Sequence, residues 1–198
     1  MIPKVADFYH GDDTVDFQAL LHQGIIGVFH KASEGLAERD PAYAHRHSLC
    51  PPSMLWGAYH FMRPGDVAKQ VQHFLDCAGP NVRYALDWED QHVAQWSARR
   101  FMELVQMHTG QTPWLYAGGL LRGRSVAPAF AQFPLWLAEY SSKAVVPLPW
   151  KRYVLWQYTE KGKIAPDLSC IDVTDDEFRA AWNLTVSQPQ QPTPQESV

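Results

Sequence analysis

Two acidic residues, Asp87 and Glu89, end a short apolar stretch in the middle of the chain and are the residues best suited to chemistry. If this stretch is a strand, its side chains alternate between two faces. Asp87 and Glu89 then share a face, with their Cβ atoms about 6.5–7 Å apart. Two carboxyl groups that close in an apolar setting repel each other and lose solvation, which can raise one pKa and leave the other low. One protonated acid beside one ionised carboxylate is the usual equipment for cleaving a glycosidic bond. The alternative is an unrelated pair at a solvated strand end, since such pairs are common.

The elements that must position this pair alternate between short apolar strands and helices, which is typical of an α/β fold with a parallel sheet. Eight strands favour a closed barrel, and short late connections predict a distorted barrel with eight mainly parallel strands. The predicted strands are Lys4–Asp7, Ile25–Lys31, Leu55–Phe61, Arg83–Trp88, Trp114–Tyr116, Leu135–Ala138, Val154–Gln157 and Cys170–Val173. The predicted helices are Phe17–Gln23, Pro41–Ser48, Val67–Cys77, Ala98–Thr109 and Asp175–Trp182.

Length and composition are those of an ordinary globular protein. The 198 residues suffice for one domain, predicted to span residues 1–186, and the Pro/Gln-rich segment 187–198 is predicted to be disordered. The net charge of −4, without any Lys/Arg block, argues against nucleic acid and membranes as partners. Three widely spaced Cys and nine scattered His lack ligand spacing, so we predict neither a metal site nor a cofactor.

Polar side chains recur where the predicted strands end. The carboxyl ends of parallel strands form one mouth of an α/β barrel, so these side chains are expected to meet there. The acids Asp7, Asp87, Glu89 and Asp172 would converge on this mouth. Asp7 could equally well be structural, as a hydrogen-bond partner that closes the bottom of the barrel or orients Asp87. The other strand-end residues considered are Glu34, Tyr59, His60, Tyr116, Tyr140, Gln157 and Tyr158.

Motifs along almost the whole chain resemble those of glycoside hydrolase family 25 lysozymes, which are N-acetylmuramidases that cut peptidoglycan. The resemblance implies a flattened barrel of five β/α units followed by three strands, (β/α)5(β)3, which agrees with the strand count. The motifs are Val5-Ala6-Asp7, Lys31-Ala32-Ser33-Glu34-Gly35, Gly57-Ala58-Tyr59-His60-Phe61, Leu86-Asp87-Trp88-Glu89, Pro134-Leu135-Trp136-Leu137-Ala138-Glu139-Tyr140, Trp156-Gln157-Tyr158-Thr159 and Ile171-Asp172.

The resemblance also implies roles for these residues. Glu89 would be the general acid, Asp87 its partner carboxylate, and Asp7 and Asp172 supporting acids. The resemblance implies a cut at the β-1,4 bond between N-acetylmuramic acid and N-acetylglucosamine, with attack by the substrate's own acetamido group and net retention. Spacing alone leaves direct attack and water attack open. The expected substrate-binding residues are Tyr59, His60, Glu34, Tyr116, Tyr140, Gln157 and Tyr158, although His60 also fits a satisfied buried imidazole.

The first motif departs from the family pattern, which usually opens Asp-Val-Ser-His with a Gln two positions on. In this chain Tyr9 replaces the Ser, and Asp12 stands where the Gln would be. The departure concerns substrate contacts near the first strand and leaves the acid pair unaffected.

Two other functions fit the same sequence: a peptidoglycan-binding module that has lost catalysis, and a hydrolase of another amino-sugar polymer such as chitin. The four acids argue against the first. The N-terminal residues lack the pattern of a Sec signal. We therefore expect synthesis in the cytoplasm and action on the cell wall, in the periplasm or outside the cell, after lysis or dedicated secretion. A phage endolysin and a secreted antibacterial effector both fit, and an effector would have an immunity protein as a further partner.

Overall fold

A computed structural model describes residues 4–13, 15–123, 125–162, 165–171 and 173–183. Within these ranges nine strands form one sheet, and five α-helices accompany it. The strands are β1 (Lys4–Phe8), β2 (Ile25–Glu34), β3 (Glu38–Arg39), β4 (Leu55–Phe61), β5 (Arg83–Asp87), β6 (Trp114–Ala117), β7 (Leu135–Ala138), β8 (Leu155–Thr159) and β9 (Asp167–Cys170). The helices are α1 (Phe17–His22), α2 (Tyr43–Leu49), α3 (Val67–Ala78), α4 (Gln95–Thr109) and α5 (Asp175–Asn183).

Eight of the strands close into a barrel. The strand order is β1-β9-β8-β7-β6-β5-β4-β2-β3, and the pairing of β1 with β2 closes the ring. From β1 to β8 the barrel strands run parallel, whereas β9 is antiparallel to both β8 and β1. The two-residue β3 pairs antiparallel with the last two residues of β2 and is not part of the barrel. The prediction of a distorted, mainly parallel barrel is therefore confirmed.

The helical connections follow the expected β/α pattern and then stop. Helices α1 to α4 each follow a barrel strand, while two short 3₁₀ helices, Gly119–Leu121 and Pro128–Gln132, follow β6 in place of a fifth helix. Asp16 caps α1 by accepting hydrogen bonds of 3.0 Å from two backbone N–H groups. Gly110 ends α4 with a φ of 71°, the left-handed conformation that its position after the helix predicted.

The last strand is the main difference between expectation and structure. It was predicted at Cys170–Val173 and lies at Asp167–Cys170, in the opposite direction to its neighbours. The other predicted elements agree with the observed ones to within about three residues, the usual uncertainty of such boundaries. The predicted tail at 187–198 lies outside the described residues. No helix in the described part of the chain is long and apolar enough to cross a membrane.

Aromatic side chains fill the barrel interior. Phe29 is fully buried, and its ring stacks on Trp136 with centroids 4.6 Å apart. A Cβ at Gly57 would lie 2.4 Å from the Phe29 ring, so only glycine fits at that point of β4. Helix α5 closes the amino-terminal end of the barrel by inserting Phe178 and Trp182 against Trp114.

Replacing Phe29 with alanine should lower the free energy of unfolding by about 3–5 kcal/mol, because it leaves a cavity among three tryptophans. Urea denaturation followed by tryptophan fluorescence measures the change. The control is Trp96→Ala, which removes a side chain that is 70% exposed and should change stability by less than about 0.5 kcal/mol. Equal losses in both variants would contradict this account of the barrel interior.

Candidate active site

A cleft of about 420 Å³ opens at the carboxyl ends of the parallel strands. It brings together five carboxylates: Asp7, Asp87, Glu89, Glu160 and Asp167. Four further predicted residues also line it: Tyr59, Tyr116, Tyr140 and Gln157. Within the described residues no group of His, Cys, Asp and Glu has an arrangement that would hold a metal ion.

Asp87 and Glu89 differ in how the protein surrounds them. Asp87 is the last residue of β5, is only 6% exposed, and its Oδ1 has no hydrogen-bond partner among the described residues. Burial, followed by repulsion from Glu89 and Asp7, raises the pKa of Asp87 well above its ordinary value. Glu89 stands beyond the strand end, where it reaches the solvent in the cleft. Its pKa is also raised, first by partial burial and then by Glu160.

The expected split into one raised and one low pKa is therefore not found. Both members of the pair favour the protonated form, and Asp87 does so more strongly because it is more deeply buried. Trp88, which lies between the two acids in sequence, is buried in the core. Its ring faces the opposite side of the sheet, stacks on Phe130 at 5.6 Å and donates a hydrogen bond to the Val93 carbonyl.

Asp7 and Asp167 form a second acidic pair. They are direct partners in the antiparallel pairing of β1 with β9, so their carboxyl groups lie side by side at the mouth. Burial and the charge of Asp167 raise the pKa of Asp7 well above its ordinary value. Burial, then Asp12 and Glu160, raise the pKa of Asp167 to about 6. The charges that oppose ionisation of Asp167 at neutral pH are therefore those of Asp12 and Glu160.

Gln157 holds Asp7 in place. Its Nε2 donates hydrogen bonds of 3.0 and 2.9 Å to the two carboxyl oxygens of Asp7. Its Oε1 accepts hydrogen bonds of 2.8 Å from the hydroxyl groups of Tyr116 and Tyr140. Because two hydroxyl donors occupy the amide oxygen, the amide nitrogen must face Asp7. This network holds the Asp7 side chain in one position, which fits the structural role considered for it. Asp7 also lines the cleft, which fits the role of a supporting acid.

Lys31 is the one cation among the described residues that line the cleft. Its ammonium group pairs with Glu34 and lies 5.1 Å from the centre of the Phe61 ring. Glu34 also accepts a hydrogen bond of 2.7 Å from Arg63. Although partial burial opposes it, the contacts with Lys31 and Arg63 lower the pKa of Glu34. Glu34 was predicted to contact substrate. In the structure it lies outside the cleft lining and holds Lys31 instead.

His60 also lies away from the cleft, which corrects the expected substrate contact. Along β4 the side chains alternate, so Tyr59 faces the barrel interior while His60 faces α3. The His60 ring is fully buried, lies 2.9 Å from the Ser33 hydroxyl and 3.1 Å from the Gln70 side-chain oxygen. Burial lowers the pKa of His60 to about 4, so it is a neutral structural imidazole.

Two further predicted residues are not in the cleft lining. Tyr158 lines a shallower neighbouring groove, which shares only Tyr140 and Glu160 with the cleft. Asp172 lies outside the described residues, so its predicted role as a supporting acid stays a prediction.

The sequence analysis missed Asp167 and Glu160 as cleft residues and did not assign Lys31 a site role. A signal for Asp167 existed, because the seven residues between Thr159 and Asp167 are too few for a parallel crossover. The last strand therefore has to return antiparallel, and its first residue instead of its last one lies at the mouth. Glu160 follows β8 directly but belongs to no recognised motif.

Comparisons with known proteins agree with this geometry. The sequence profile of glycosyl hydrolases family 25 matches residues 6–167. The chain is 29% identical over 176 residues to the autolytic lysozyme of Clostridium acetobutylicum, covering 81% of this chain and 52% of that protein, so it spans about half the relative's length. The CTP1L endolysin structure superposes with a TM-score of 0.76 at 27% identity, covering 90% and 68% of the two chains. A family 25 lysozyme from Aspergillus fumigatus shares the fold, with a TM-score of 0.82, 23% identity and coverage of 92% and 99%.

The raised pKa of Asp167 makes a prediction about stability. A carboxyl group whose folded pKa is raised from 3.8 to about 6 stabilises the fold below pH 4, and that contribution is lost as the pH rises through 6. Asp167→Asn should therefore raise the free energy of unfolding at pH 7.5 by on the order of 1 kcal/mol, allowing for solvent screening, and have little effect at pH 4.

Urea denaturation at the two pH values measures this change. Asp90→Asn is the control, because a backbone hydrogen bond from His92 and an ion pair with Arg63 lower the pKa of Asp90, and its removal should not stabilise the protein at pH 7.5. An Asp167→Asn effect that is the same at pH 4 and pH 7.5 would contradict the repulsion described here.

Proposed function

The chain belongs to glycosyl hydrolases family 25, and we propose that it is a peptidoglycan hydrolase that cuts the β-1,4 bond between N-acetylmuramic acid and N-acetylglucosamine. The observation that carries the proposal is the pair of Asp87 and Glu89, two neighbouring carboxyl groups with raised pKa values in a cleft large enough for sugar rings. The lysozyme names of the relatives support the substrate class. Because peptidoglycan lies outside the cytoplasmic membrane, the proposed place of action is the periplasm or the outer face of the cell.

Glu89 is the proposed general acid. Its position at the open end of the pair lets its carboxyl group reach the glycosidic oxygen of a bound chain. Its raised pKa keeps a proton available under mildly acidic conditions. Glu89 gives this proton to the leaving oxygen as the glycosidic bond breaks, and it later removes a proton from the water that completes hydrolysis.

Asp87 is proposed to hold the substrate's acetamido group. Its buried Oδ1 needs a donor, and the acetamido N–H of the sugar bound beside it can supply one. This hydrogen bond favours the ionised form of Asp87, so the proton of the coupled pair moves to Glu89 when substrate binds. The acetamido oxygen then attacks the anomeric carbon, and water opens the resulting ring from the opposite face. Two inversions at one carbon give net retention.

Mass spectrometry of purified peptidoglycan, digested with the wild type and with Glu89→Gln, tests the proposed function. We expect the wild type to release fragments that end in reducible N-acetylmuramic acid, and Glu89→Gln to lose at least about 100-fold of this activity, as expected when a general acid is removed. Glu103→Gln, on the exposed face of α4, is the matched control and should retain activity.

Other outcomes of this digestion identify the alternatives. If the wild type sediments with the cell wall and releases nothing, the protein is a binding module. If the fragments end in N-acetylglucosamine, or if chitin is cut in preference to peptidoglycan, the proposed bond is wrong.

The stereochemistry gives a separate prediction. Because the acetamido group attacks first, the newly formed reducing end should keep the β configuration, and proton NMR taken during early hydrolysis should show the β anomer before mutarotation. Early appearance of the α anomer would instead require direct attack by a water molecule. In that case the role proposed for Asp87 is that of a base.

A further inference from the structure

Tyr9 projects into the cleft from the segment that departs most from the family pattern. Tyr9 is 43% exposed and belongs to the residues that line the cleft, together with Asp7, Tyr140 and Asp167. Phe8, one residue earlier, is buried in the core, so Phe8 and Tyr9 are consecutive residues with opposite environments. An exposed aromatic ring in a cleft lined by carboxylates provides an apolar contact surface, and Tyr140 is the other strongly exposed aromatic residue of the lining.

We propose that Tyr9 is a sugar-binding residue of the cleft, which packs its ring against the apolar face of a pyranose and so helps to determine which glycan is bound. This inference rests on the proposed function, because it assumes that the cleft takes a sugar chain. A serine at this position, which the resemblance in the sequence analysis would imply, could not make this contact.

The backbone around Tyr9 is held at both of its polar groups. The Tyr9 N–H donates to Asp12 Oδ2 at 2.7 Å, and the Tyr9 carbonyl accepts from the Asp12 N–H at 3.1 Å and from Arg46 Nη1 at 2.8 Å. Arg46 also donates to the Asp12 carbonyl at 2.8 Å. The two departures from the family pattern, Tyr9 and Asp12, therefore form one unit. Because the loop is ordered before substrate arrives, binding costs less conformational entropy.

Gly11 sets the position of the Tyr9 ring. A Cβ on Gly11 would lie 2.5 Å from Cε2, Cζ and Oη of Tyr9, so the ring rests directly on the glycine backbone. The backbone of Gly11 is not in the left-handed region, so alanine is not strained there. The three atoms nearest to an added Cβ at position 11 all belong to the far end of the Tyr9 side chain, so alanine there would push that end away. This offers a way to displace the ring while keeping the tyrosine.

The test uses a soluble tetrasaccharide of alternating N-acetylglucosamine and N-acetylmuramic acid. Its Kd is measured by calorimetry in the full chain carrying Glu89→Gln, and its KM and kcat are measured with Glu89 intact. Tyr9→Ser should raise Kd and KM by about tenfold, the loss expected for one aromatic contact, while kcat changes by less than about twofold. Tyr9→Phe should restore the affinity that Tyr9→Ser loses, since the ring is kept.

A double-mutant cycle separates ring placement from general damage to the loop. Gly11→Ala should weaken binding when Tyr9 is present and have no further effect in Tyr9→Ser, where no ring is left to displace. Trp96→Ser, which removes an exposed aromatic side chain outside the cleft lining, is the control and should leave Kd unchanged.

Three results would overturn the inference: an unchanged Kd in Tyr9→Ser, a fall in kcat without a change in KM, or equal effects of Gly11→Ala in both backgrounds. Failure of the proposed function would look different. A wild type that leaves the tetrasaccharide uncut, yet binds it with a Kd that depends on Tyr9, would reject the hydrolase and support the role of Tyr9.

Discussion

The antiparallel strand β9 is the constraint on which the cleft depends. Inserted between β8 and β1, it closes the barrel and sets Asp167 directly opposite Asp7. A parallel strand at this place would put its last residue at the mouth, and the Asp7–Asp167 pairing would not form. The same closure leaves Gln157 of β8 close enough to reach Asp7 across β9. The place of Asp167 in the cleft, and its pairing with Asp7, therefore follow from the direction of one four-residue strand.

Several carboxylates close together in one cleft destabilise the folded protein. Few groups offset this repulsion. Lys31 supplies a positive charge, but Glu34 shares that charge from outside the cleft. Gln157 supplies two N–H donors to Asp7 without adding charge. The burial and the repulsion that these groups do not offset raise the pKa values of the cleft acids, most strongly those of the buried Asp87 and Asp7. Retaining such repulsion is typical of a site arranged for proton transfer, where stability is given up for function.

The sequence predicted the barrel and much of the cleft because apolar periodicity and strand ends are local signals. Asp87 and Glu89 were found in this way, since alternation along one strand places both on one face. The same alternation, had it been applied to Tyr59 and His60, would have placed His60 behind the sheet. Asp167 was missed because strand direction depends on the length of a connection, which the motifs do not record. The raised pKa of Asp87 was predictable in part, because Glu89, its largest charge contribution, is only two positions away. The effects of Asp167 on Asp7 and of Glu160 on Glu89 could not be predicted, because these residues are far apart in sequence.

Asp12 connects the two unusual features of this cleft. As a hydrogen-bond acceptor it fixes the backbone of Tyr9, and as a charge it is the largest electrostatic contribution, after burial, to the raised pKa of Asp167. It also raises the pKa of Asp7. A glutamine at position 12 could accept the same hydrogen bond but would carry no charge. The acid at position 12 therefore does more than anchor the loop. It favours the protonated forms of Asp7 and Asp167, so the residue that orders the proposed sugar contact also limits the negative charge that these two acids bring to the cleft.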